Sequence, residues 1–375
     1  MQELLIITII LALFFDFTNG FHDTANAIAT SVSTKAIPPK VAVFGAACLN
    51  FLGAFVSLKV ATTVAKGVVN SQAITLEVVL AGIVGAIIWN LFTWRIGMPT
   101  SSSHALIGGV AGAAIMSVGL TAINWQGLLD KVLIPSIVAP VLGLIIAGVI
   151  MLIIMLITRK ATDDKSENIF RRLQIISASF VAFTHGTNDA QKTMGIIALA
   201  LLVAHPGQAF DVPLWVIISS ALFMAMGTYI GGWRIIRTLG ERIVDLKPRQ
   251  GFAAETATAS ILFTTASMGF PVSTTHTISS SILGAGLARR PGRVNWKIVR
   301  NIGVAWIFTL PCAALVGASM KALDGVPGGH FMVLVMTMII AGSIVLTRHW
   351  KRESFVQVLV RLAPIDRFSR KSLKV

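Results

Sequence analysis

The sequence predicts an all-α polytopic membrane protein with inverted-topology repeats, broken helices and two re-entrant helical hairpins. Three observations lead to this fold: long stretches without charge, basic residues concentrated between them, and two motifs that each occur twice. Of the 375 residues, 55% are hydrophobic and 13% are charged, and the mean hydropathy is +0.79. Soluble domains carry about 25% charged residues, so this composition excludes a soluble enzyme.

Several long stretches contain no Asp, Glu, Lys or Arg. A transmembrane helix needs about 20 mainly apolar residues, whereas the strands of a membrane barrel are alternating segments of about 10 residues. The uninterrupted runs therefore predict helices. They are Val41–Leu58, Ile96–Leu129, Val132–Thr158, Val212–Trp233, Thr256–Ala288, Asn301–Met320 and Gly325–Thr347.

The net charge of +15 arises mainly from short segments between these runs. Of the 31 basic residues, 23 lie in 159–172, 234–249, 289–300 and 348–374. Lys and Arg in short loops mark the cytoplasmic side of a membrane protein. We therefore expect a multi-pass protein of the cell (inner) membrane, surrounded by lipid and without a nucleic-acid partner. The tail 348–375 is either an amphipathic surface helix or a solvated basic segment.

Two mainly apolar segments are predicted to enter the membrane as hairpins. A Gly-x-Pro sequence lies at the centre of segments 77–119 and 252–288. Proline lacks an N–H group and interrupts a helix, so each segment becomes two short helices. The alternative is that either segment forms two full transmembrane spans instead of a hairpin. With the loop 159–172 inside, each half contains three full spans, and the two halves therefore have opposite orientations.

Two motifs recur in the same order in the second half of the chain. Residues 20–27 (GFHDTANA) are echoed by 186–193 (GTNDAQKT), and 99–104 (PTSSSH) by 271–276 (PVSTTH). The offsets of 166 and 172 residues are nearly equal, which indicates a duplication. The predicted division is a first inverted repeat at 1–158, a short cytoplasmic linker at 159–172, a second inverted repeat at 173–322, an additional transmembrane span at 323–347 and a basic cytoplasmic tail at 348–375.

Inverted repeats with broken helices are the architecture of secondary transporters, which bind substrate near the middle of the membrane. We expect four broken helix ends, one at each carboxylate motif and one at each hydroxyl-rich tip, to converge on one site. Asp23 and Asp189 are carboxylates within apolar spans, which are costly unless functional. Because oxygen ligands suit a hard cation, we predict a Na⁺ site formed by Asp23, Asn26, Asn188 and Asp189.

The hydroxyl-rich segments after the two prolines predict an anion site. A helix N-terminus offers free N–H groups and the positive end of the helix dipole, although Ser and Thr there are also ordinary N-caps. Lys192 follows Asp189 by three residues and would either neutralise an anion or pair with that carboxylate. The hydroxyl-bearing candidates are Thr100, Ser101, Ser102, Ser103, Ser273, Thr274 and Thr275.

Four further titratable residues are additional candidates. Asp16 lies one turn before Gly20 and can face the cavity, while Glu255 lies near the cytoplasmic entrance of the second hairpin and can equally be solvated. His104 and His276 follow the hydroxyl runs, where they would carry protons, orient hydroxyls or pack with hydrogen bonds. The sequence contains no P-loop, zinc motif or Cys-based redox motif. We therefore expect no catalytic residue, no enzymatic activity and no cofactor.

The duplicated motifs resemble the signature of the inorganic phosphate transporter (PiT) family, whose members are sodium–phosphate or proton–phosphate symporters. The family pattern is approximately Gly-x-Asn-Asp-x-Ala-Asn/Gln. Residues 185–195 (HGTNDAQKTMG) follow it, and 231–240 (GGWRIIRTLG) are similar to the loop that follows the signature, whereas His22 stands where the pattern has Asn. The resemblance covers essentially the whole chain, as in a compact prokaryotic member.

The resemblance implies cation-coupled symport of inorganic phosphate by alternating access. It also implies that Asn26, Gln191 and the two hydroxyl-rich tips bind phosphate. Lys192 joins these candidates by its charge alone, as the residue that would neutralise the anion. Na⁺ is the favoured coupling ion and H⁺ is the alternative. A carrier for sulfate or another tetrahedral oxyanion is the alternative in substrate, although only protonated phosphate can donate hydrogen bonds to Asp23 and Asp189.

Two further function classes are disfavoured by the sequence. A Ser–His–Asp hydrolase would need Ser103 and His104 to face each other, which adjacent residues on a helix cannot do. A channel would need a continuous pore, which closed hairpin tips do not provide. The oligomeric state stays open, with a homodimer as one alternative.

Overall fold

The computed structural model describes residues 1–69, 74–160, 162–326 and 328–346. These residues form helices joined by short turns, so the predicted all-α class is confirmed for this part of the chain. The tail 348–375, for which a surface helix or a solvated segment is predicted, lies outside the described residues. The helices are α1 Gln2–Ser33, α2 Pro39–Gly53, α3 Lys59–Lys66, α4 Leu76–Ile96, α5 Ser102–Val118, α6 Trp125–Leu128, α7 Ile134–Thr158, α8 Asp163–Ala204, α9 Leu214–Ile230, α10 Trp233–Arg237, α11 Pro248–Met268, α12 Thr274–Arg289, α13 Trp296–Asp324 and α14 Gly329–Leu346.

Several of these helices are suited to a lipid bilayer. In the described part of the chain, four are long and apolar enough to cross a membrane: α1, α4, α13 and the continuous stretch Trp125–Thr158. Helix α9 makes a fifth when it is joined to its continuation Trp233–Arg242, which is bent by 59°. The polytopic membrane fold predicted from the sequence is therefore confirmed.

Two helix breaks lie where the Gly-x-Pro sequences predict them. Helix α4 ends at Ile96 and is followed by Gly97 with φ 67°, and α5 begins at Ser102. Helix α11 ends at Met268 and is followed by Gly269 with φ 80°. A left-handed glycine is a common way to end a helix, and the nearby proline prevents its continuation.

The predicted breaks at the carboxylate motifs are wrong. Asp23 lies within the continuous helix α1, and Asp189 lies within the 42-residue helix α8. Neither motif contains proline, and a single glycine costs a helix only about 1 kcal/mol. Helix α8 also begins at Asp163, so most of the predicted linker 159–172 is helical. Acidic residues in its first turn favour a helix there because they complement the helix dipole.

Helices from the two halves of the chain pack reciprocally. Helix α1 packs on α9 while α8 packs on α2, and α5 packs on α13 while α12 packs on α7. A Cβ atom at Gly20 would lie 2.3 Å from the carbonyl oxygen of Met224 on α9, and one at Gly186 would lie 2.1 Å from that of Asn50 on α2. The signature glycines therefore allow the close helix contacts that hold the motifs in place.

Candidate functional site

The carboxylates of Asp23 on α1 and Asp189 on α8 come together in the interior of the protein. Their exposed fractions are only 2% and 0%. One oxygen from each and one ring nitrogen of His185 lie within 4.8 Å of one another. His185 is one helical turn before Asp189, with 3.4 Å between its Nε2 and Oδ2 of the aspartate. Two acids and an imidazole thus form a buried cluster that can bind a cation.

Three side chains surround the carboxylate of Asp23. His22 Nδ1 lies 2.7 Å from Oδ1. The Ser102 hydroxyl donates to Oδ2 at 2.9 Å, and the Thr275 hydroxyl donates to Oδ1 at 3.3 Å. Ser102 and Thr275 belong to the two different hydroxyl-rich tips. Asp23 therefore joins both tips to α1.

Asp189 has a basic partner of its own. The ammonium group of Lys192, one turn further along α8, lies 2.5 Å from Oδ1. It also donates to the carbonyl oxygen of Val272 at 3.2 Å. The Thr274 hydroxyl donates to the other carboxylate oxygen at 3.4 Å. The pairing of Lys192 with Asp189, one of its two predicted roles, is what the structure contains.

The amide of Asn26 orients two of these hydroxyls. Its Nδ2 donates to Oγ1 of Thr274 at 3.0 Å and to Oγ1 of Thr275 at 2.8 Å. Each hydroxyl then accepts from the amide and directs its own proton to a carboxylate. Asn188 donates to the Val272 carbonyl at 3.1 Å. The amide oxygens of Asn26 and Asn188 have no hydrogen-bond partner in the described segments, so both remain available as acceptors.

The N-termini of α5 and α12 lie at this cluster because their first residues, Ser102 and Thr274, bind its carboxylates. Ser101 caps α5 by accepting from the backbone N–H of His104 at 3.1 Å, and Ser273 caps α12 in the same way at 3.2 Å. The N–H groups of the first helical residues have no acceptor within a helix. Two helix dipoles therefore point their positive ends at the buried carboxylates.

Contacts from other helices hold the α4–α5 break in position. The Trp306 indole on α13 donates to the carbonyl of Pro99 at 3.1 Å. The Thr238 hydroxyl donates to the carbonyl of Gly97 at 2.9 Å. Backbone groups freed by the break are thus satisfied by protein rather than water, as a membrane protein requires.

Comparison with known proteins identifies the family. A sequence profile described as the phosphate transporter family matches residues 19–317, which contain every element of the site described above. The chain belongs to the phosphate transporter family. Members of this family carry phosphate across membranes rather than transform it, which confirms the predicted substrate and the absence of enzymatic activity.

Individual relatives agree with this assignment. The chain is 47% identical over 365 residues to the "Probable low-affinity inorganic phosphate transporter" of Mycobacterium tuberculosis (strain H37Rv), covering 97% of this chain and 85% of the relative. It is 46% identical over 326 residues to the Bacillus subtilis protein of the same name, covering 85% and 97%. A solved structure, "The sodium-dependent phosphate transporter", is similar with a TM-score of 0.76 and 26% identity, covering 85% of this chain and 98% of that one.

Several residues predicted for the site do belong to one connected network in this transporter. Asp23, Asp189 and Lys192 are linked through the three tip hydroxyls and the amide of Asn26, as described above. Their roles as ligands of phosphate or of a cation stay predictions.

Other predicted residues have different contacts. The Gln191 side chain accepts from the backbone N–H of Val60 at 2.9 Å and donates to the Thr187 carbonyl, so it caps α3 in this conformation. Ser103 lies 3.5 Å from the Val272 carbonyl. Thr100 lies 3.4 Å from His22 Nε2. The hydrogen bonds of these three side chains thus go to groups other than the carboxylates of Asp23 and Asp189.

The two histidines after the tips pack against each other. The ring centroids of His104 and His276 are 5.0 Å apart, and His276 stacks on Trp306 at 4.1 Å. Packing is thus present as one predicted alternative has it, but His104 Nδ1 and His276 Nε2 have no hydrogen-bond partner among the described residues.

Glu255 is not solvated, contrary to one of its predicted alternatives. It is fully buried and accepts hydrogen bonds from Thr30 at 2.5 Å, from Gln174 at 3.0 Å and from Ser177. Asp16 is also fully buried, but it lies outside this network.

The sequence reasoning missed His185 as part of the carboxylate cluster. A signal was present, because His185 precedes Asp189 by four residues and therefore lies on the same face of a helix. His22 departs from the family pattern. The structure instead gives it a direct contact with Asp23.

Proposed function

We propose that this protein is a secondary active transporter that couples phosphate movement to a cation gradient, with Na⁺ as the favoured coupling ion. The observation that carries the proposal is the buried cluster of Asp23, His185 and Asp189 at the N-termini of two helices. Carboxylates attract a cation, while helix N-termini and hydroxyls attract an anion. The sodium dependence named for the similar solved structure supports Na⁺ over H⁺.

The hydrogen bonds suggest how cation binding promotes phosphate binding. Without a cation, the hydroxyls of Ser102, Thr274 and Thr275 donate to carboxylates, and the negative charge of those carboxylates repels phosphate. A cation on Asp23 and Asp189 neutralises that charge and competes for the same oxygen lone pairs. The hydroxyls are then free to turn and donate to phosphate. Each ligand therefore strengthens the binding of the other, which is the condition for coupling.

The free amide oxygens favour phosphate over sulfate. Protonated phosphate carries O–H donors, and the acceptors of Asn26 and Asn188 have no other partner among the described residues. Sulfate at neutral pH only accepts hydrogen bonds. It would leave these buried acceptors unsatisfied, at a cost of about 1–3 kcal/mol each.

We further propose that the two halves are inverted repeats and that α4–α5 and α11–α12 form re-entrant hairpins. The reciprocal packing of α1 on α9 and α8 on α2 supports a pseudo-twofold relation between the halves. Alternating access would then follow from movement of one set of helices against the other around a central site.

The test is uptake of radiolabelled phosphate into proteoliposomes, with Na⁺, K⁺ and pH gradients imposed separately. We expect an inward Na⁺ gradient to drive accumulation, because loading the cation site is required for phosphate binding. Asp23→Asn should abolish this accumulation. Asp130→Asn makes the same chemical change at an exposed carboxylate and should not affect it. Accumulation driven equally by a pH gradient without Na⁺ would refute sodium coupling.

A further inference from the structure

We infer that a basic pocket at the base of the second predicted hairpin binds the phosphate group of an anionic phospholipid. The pocket has a volume of about 300 Å³ and lies between the start of α11, the end of α12 and the segments that flank them. None of its residues belongs to the carboxylate network around Asp23, so the inference does not depend on the proposed coupling. The polar side chains that line it are Asp245, Lys247, Gln250, Arg289, Arg290 and Arg293.

The acidic groups at this pocket are already committed to arginines. Asp245 lies 3.4 Å from Arg293 in an ion pair that is largely exposed. Glu167 on α8 lies 3.0 Å from Arg249 and 3.9 Å from Arg289, so that one carboxylate serves two guanidinium groups. These two acids therefore leave no negative charge for the remaining basic side chains of the pocket.

Two cations and one buried amide of the pocket are left without a partner. Lys247 directly precedes α11 and Arg290 directly follows α12, and neither forms an ion pair within the described segments. Gln250 is only 3% exposed. Its Oε1 accepts from the backbone N–H of Lys247 at 3.1 Å and from Arg289 at 2.9 Å, whereas its Nε2 has no hydrogen bond to a described residue. The pocket thus presents several donors and surplus positive charge to one space, which is the arrangement that binds phosphate oxygens.

The pocket lies at the depth of the lipid headgroups. The N–H of Asn295 donates to the carbonyl of Ile243 at 2.9 Å and so joins the two flanking segments. The next residue, Trp296, begins the membrane-spanning helix α13 and is 58% exposed. Tryptophan is typical of the membrane–water interface. Ile307, three turns further along the same side of α13, is 65% exposed and offers apolar surface to acyl chains.

The location favours a lipid over a free phosphate ion. The pocket is built from 234–249 and 289–300, two of the basic segments that the positive-inside rule assigns to the cytoplasmic side. Anionic lipids give the cytoplasmic leaflet its negative surface potential, and basic pockets between helices on that side bind lipid headgroups. A single phosphate ion is much smaller than this cavity and would make no use of the exposed apolar surface of α13.

A bound headgroup would connect the two ends of the α11–α12 segment. Lys247 stands at the start of this segment and Arg290 at its end, and both line the same pocket. A ligand that binds only the folded arrangement stabilises it by mass action. We therefore expect an anionic lipid to stabilise the folded protein.

The test measures binding of phosphatidylglycerol to the purified full-length protein in neutral detergent, with bound lipids counted by native mass spectrometry. Phosphatidylcholine is the comparison lipid without net charge. The buffer contains about 0.5 M salt, because screening then removes most of the long-range attraction to exposed charges. Phosphatidylglycerol should bind and raise the midpoint of thermal unfolding by about 3–5 °C at saturation, and phosphatidylcholine should do neither.

The decisive variant combines Lys247→Gln with Arg290→Gln. Loss of two hydrogen bonds to a charged group should weaken phosphatidylglycerol binding at least roughly tenfold. The matched control combines Lys297→Gln with Arg300→Gln, which removes two exposed charges from the first turns of α13 outside the pocket. Its binding should change by less than about twofold under this screening.

Three results would overturn the inference. One is an equal loss of binding, or no loss, in the pocket variant and the control variant, and another is equally strong binding of phosphatidylcholine. The third comes from inorganic phosphate added in place of lipid. If phosphate raises the unfolding midpoint of the wild-type protein and the rise disappears in the pocket variant, the pocket binds a free anion instead. We expect any such rise to persist in that variant, because its transport site is unchanged.

Discussion

Replacing Ser102 with alanine tests whether the tip hydroxyls bind phosphate. Ser102 is the first residue of α5, is 2% exposed, and donates to Asp23 Oδ2 at 2.9 Å. In the proposed mechanism this donor transfers from the carboxylate to phosphate when a cation binds. Alanine removes the donor and leaves the helix backbone intact.

The expected loss of phosphate affinity in Ser102→Ala follows from the negative charge of the phosphate that accepts the hydrogen bond. A hydrogen bond to a charged group contributes about 1.5–3 kcal/mol, which corresponds to a loss of phosphate affinity of roughly 10- to 150-fold. The loss of one donor to Asp23 also removes a competitor of the cation. The apparent affinity for Na⁺ should therefore stay unchanged or increase, while that for phosphate decreases.

The assay is phosphate uptake into proteoliposomes at varied phosphate and at varied Na⁺. Ser101→Ala is the matched control. The hydroxyl of Ser101, the residue before Ser102, caps α5 by accepting from the backbone N–H of His104. Loss of that cap should cost about 1 kcal/mol of stability and leave phosphate affinity nearly unchanged. Equal phosphate affinities for Ser102→Ala and the wild-type protein would refute a phosphate-binding role for this hydroxyl.

Three further predictions concern the buried ion pair, the helix contacts and the topology. Asp189→Asn should destabilise the protein by about 3–5 kcal/mol, because it leaves the buried Lys192 unpaired; adding Lys192→Met should restore thermal stability in detergent but not transport. Gly186→Leu should reduce the folded yield in size-exclusion chromatography, because a Cβ there would lie 2.1 Å from a backbone oxygen of α2, and a normal yield would contradict that packing. Single cysteines at 241–249 should react with an impermeant reagent from the cytoplasmic side and those at 205–211 only from outside, and the reverse pattern would refute the predicted orientation.

Much of the fold was accessible from local sequence. The charge-free runs predicted membrane helices because lipid cannot solvate charged side chains. The Gly-x-Pro sequences predicted the breaks after Ile96 and Met268, because proline and left-handed glycine act on the backbone within a few residues. The breaks predicted at Asp23 and Asp189 were wrong, because a buried carboxylate does not itself interrupt the backbone of its helix. A carboxylate in an apolar span needs partners, and the structure supplies them from the same helix and from the two tips rather than from a gap in the helix.

The residues of the site were predicted better than their contacts. The repeat singled out Asp23, Asp189 and the tip hydroxyls, because a duplication marks equivalent positions without reference to structure. It did not indicate that Gln191 caps α3, because this contact joins residues 131 positions apart. It also gave no sign that Asp16 is buried without a hydrogen-bond partner among the described residues while Glu255 has three.

The sequence by itself determined that this protein is a helical membrane protein, that it is duplicated, and that its repeated motifs place carboxylates and hydroxyls within the membrane. These properties depend on composition, on spacing and on local backbone preferences. Only the tertiary structure decided that His185 joins the two aspartates, that Lys192 is committed to Asp189, and that Asn26 orients two hydroxyls. Most of these contacts form between helices distant in the chain, so they depend on how the helices pack.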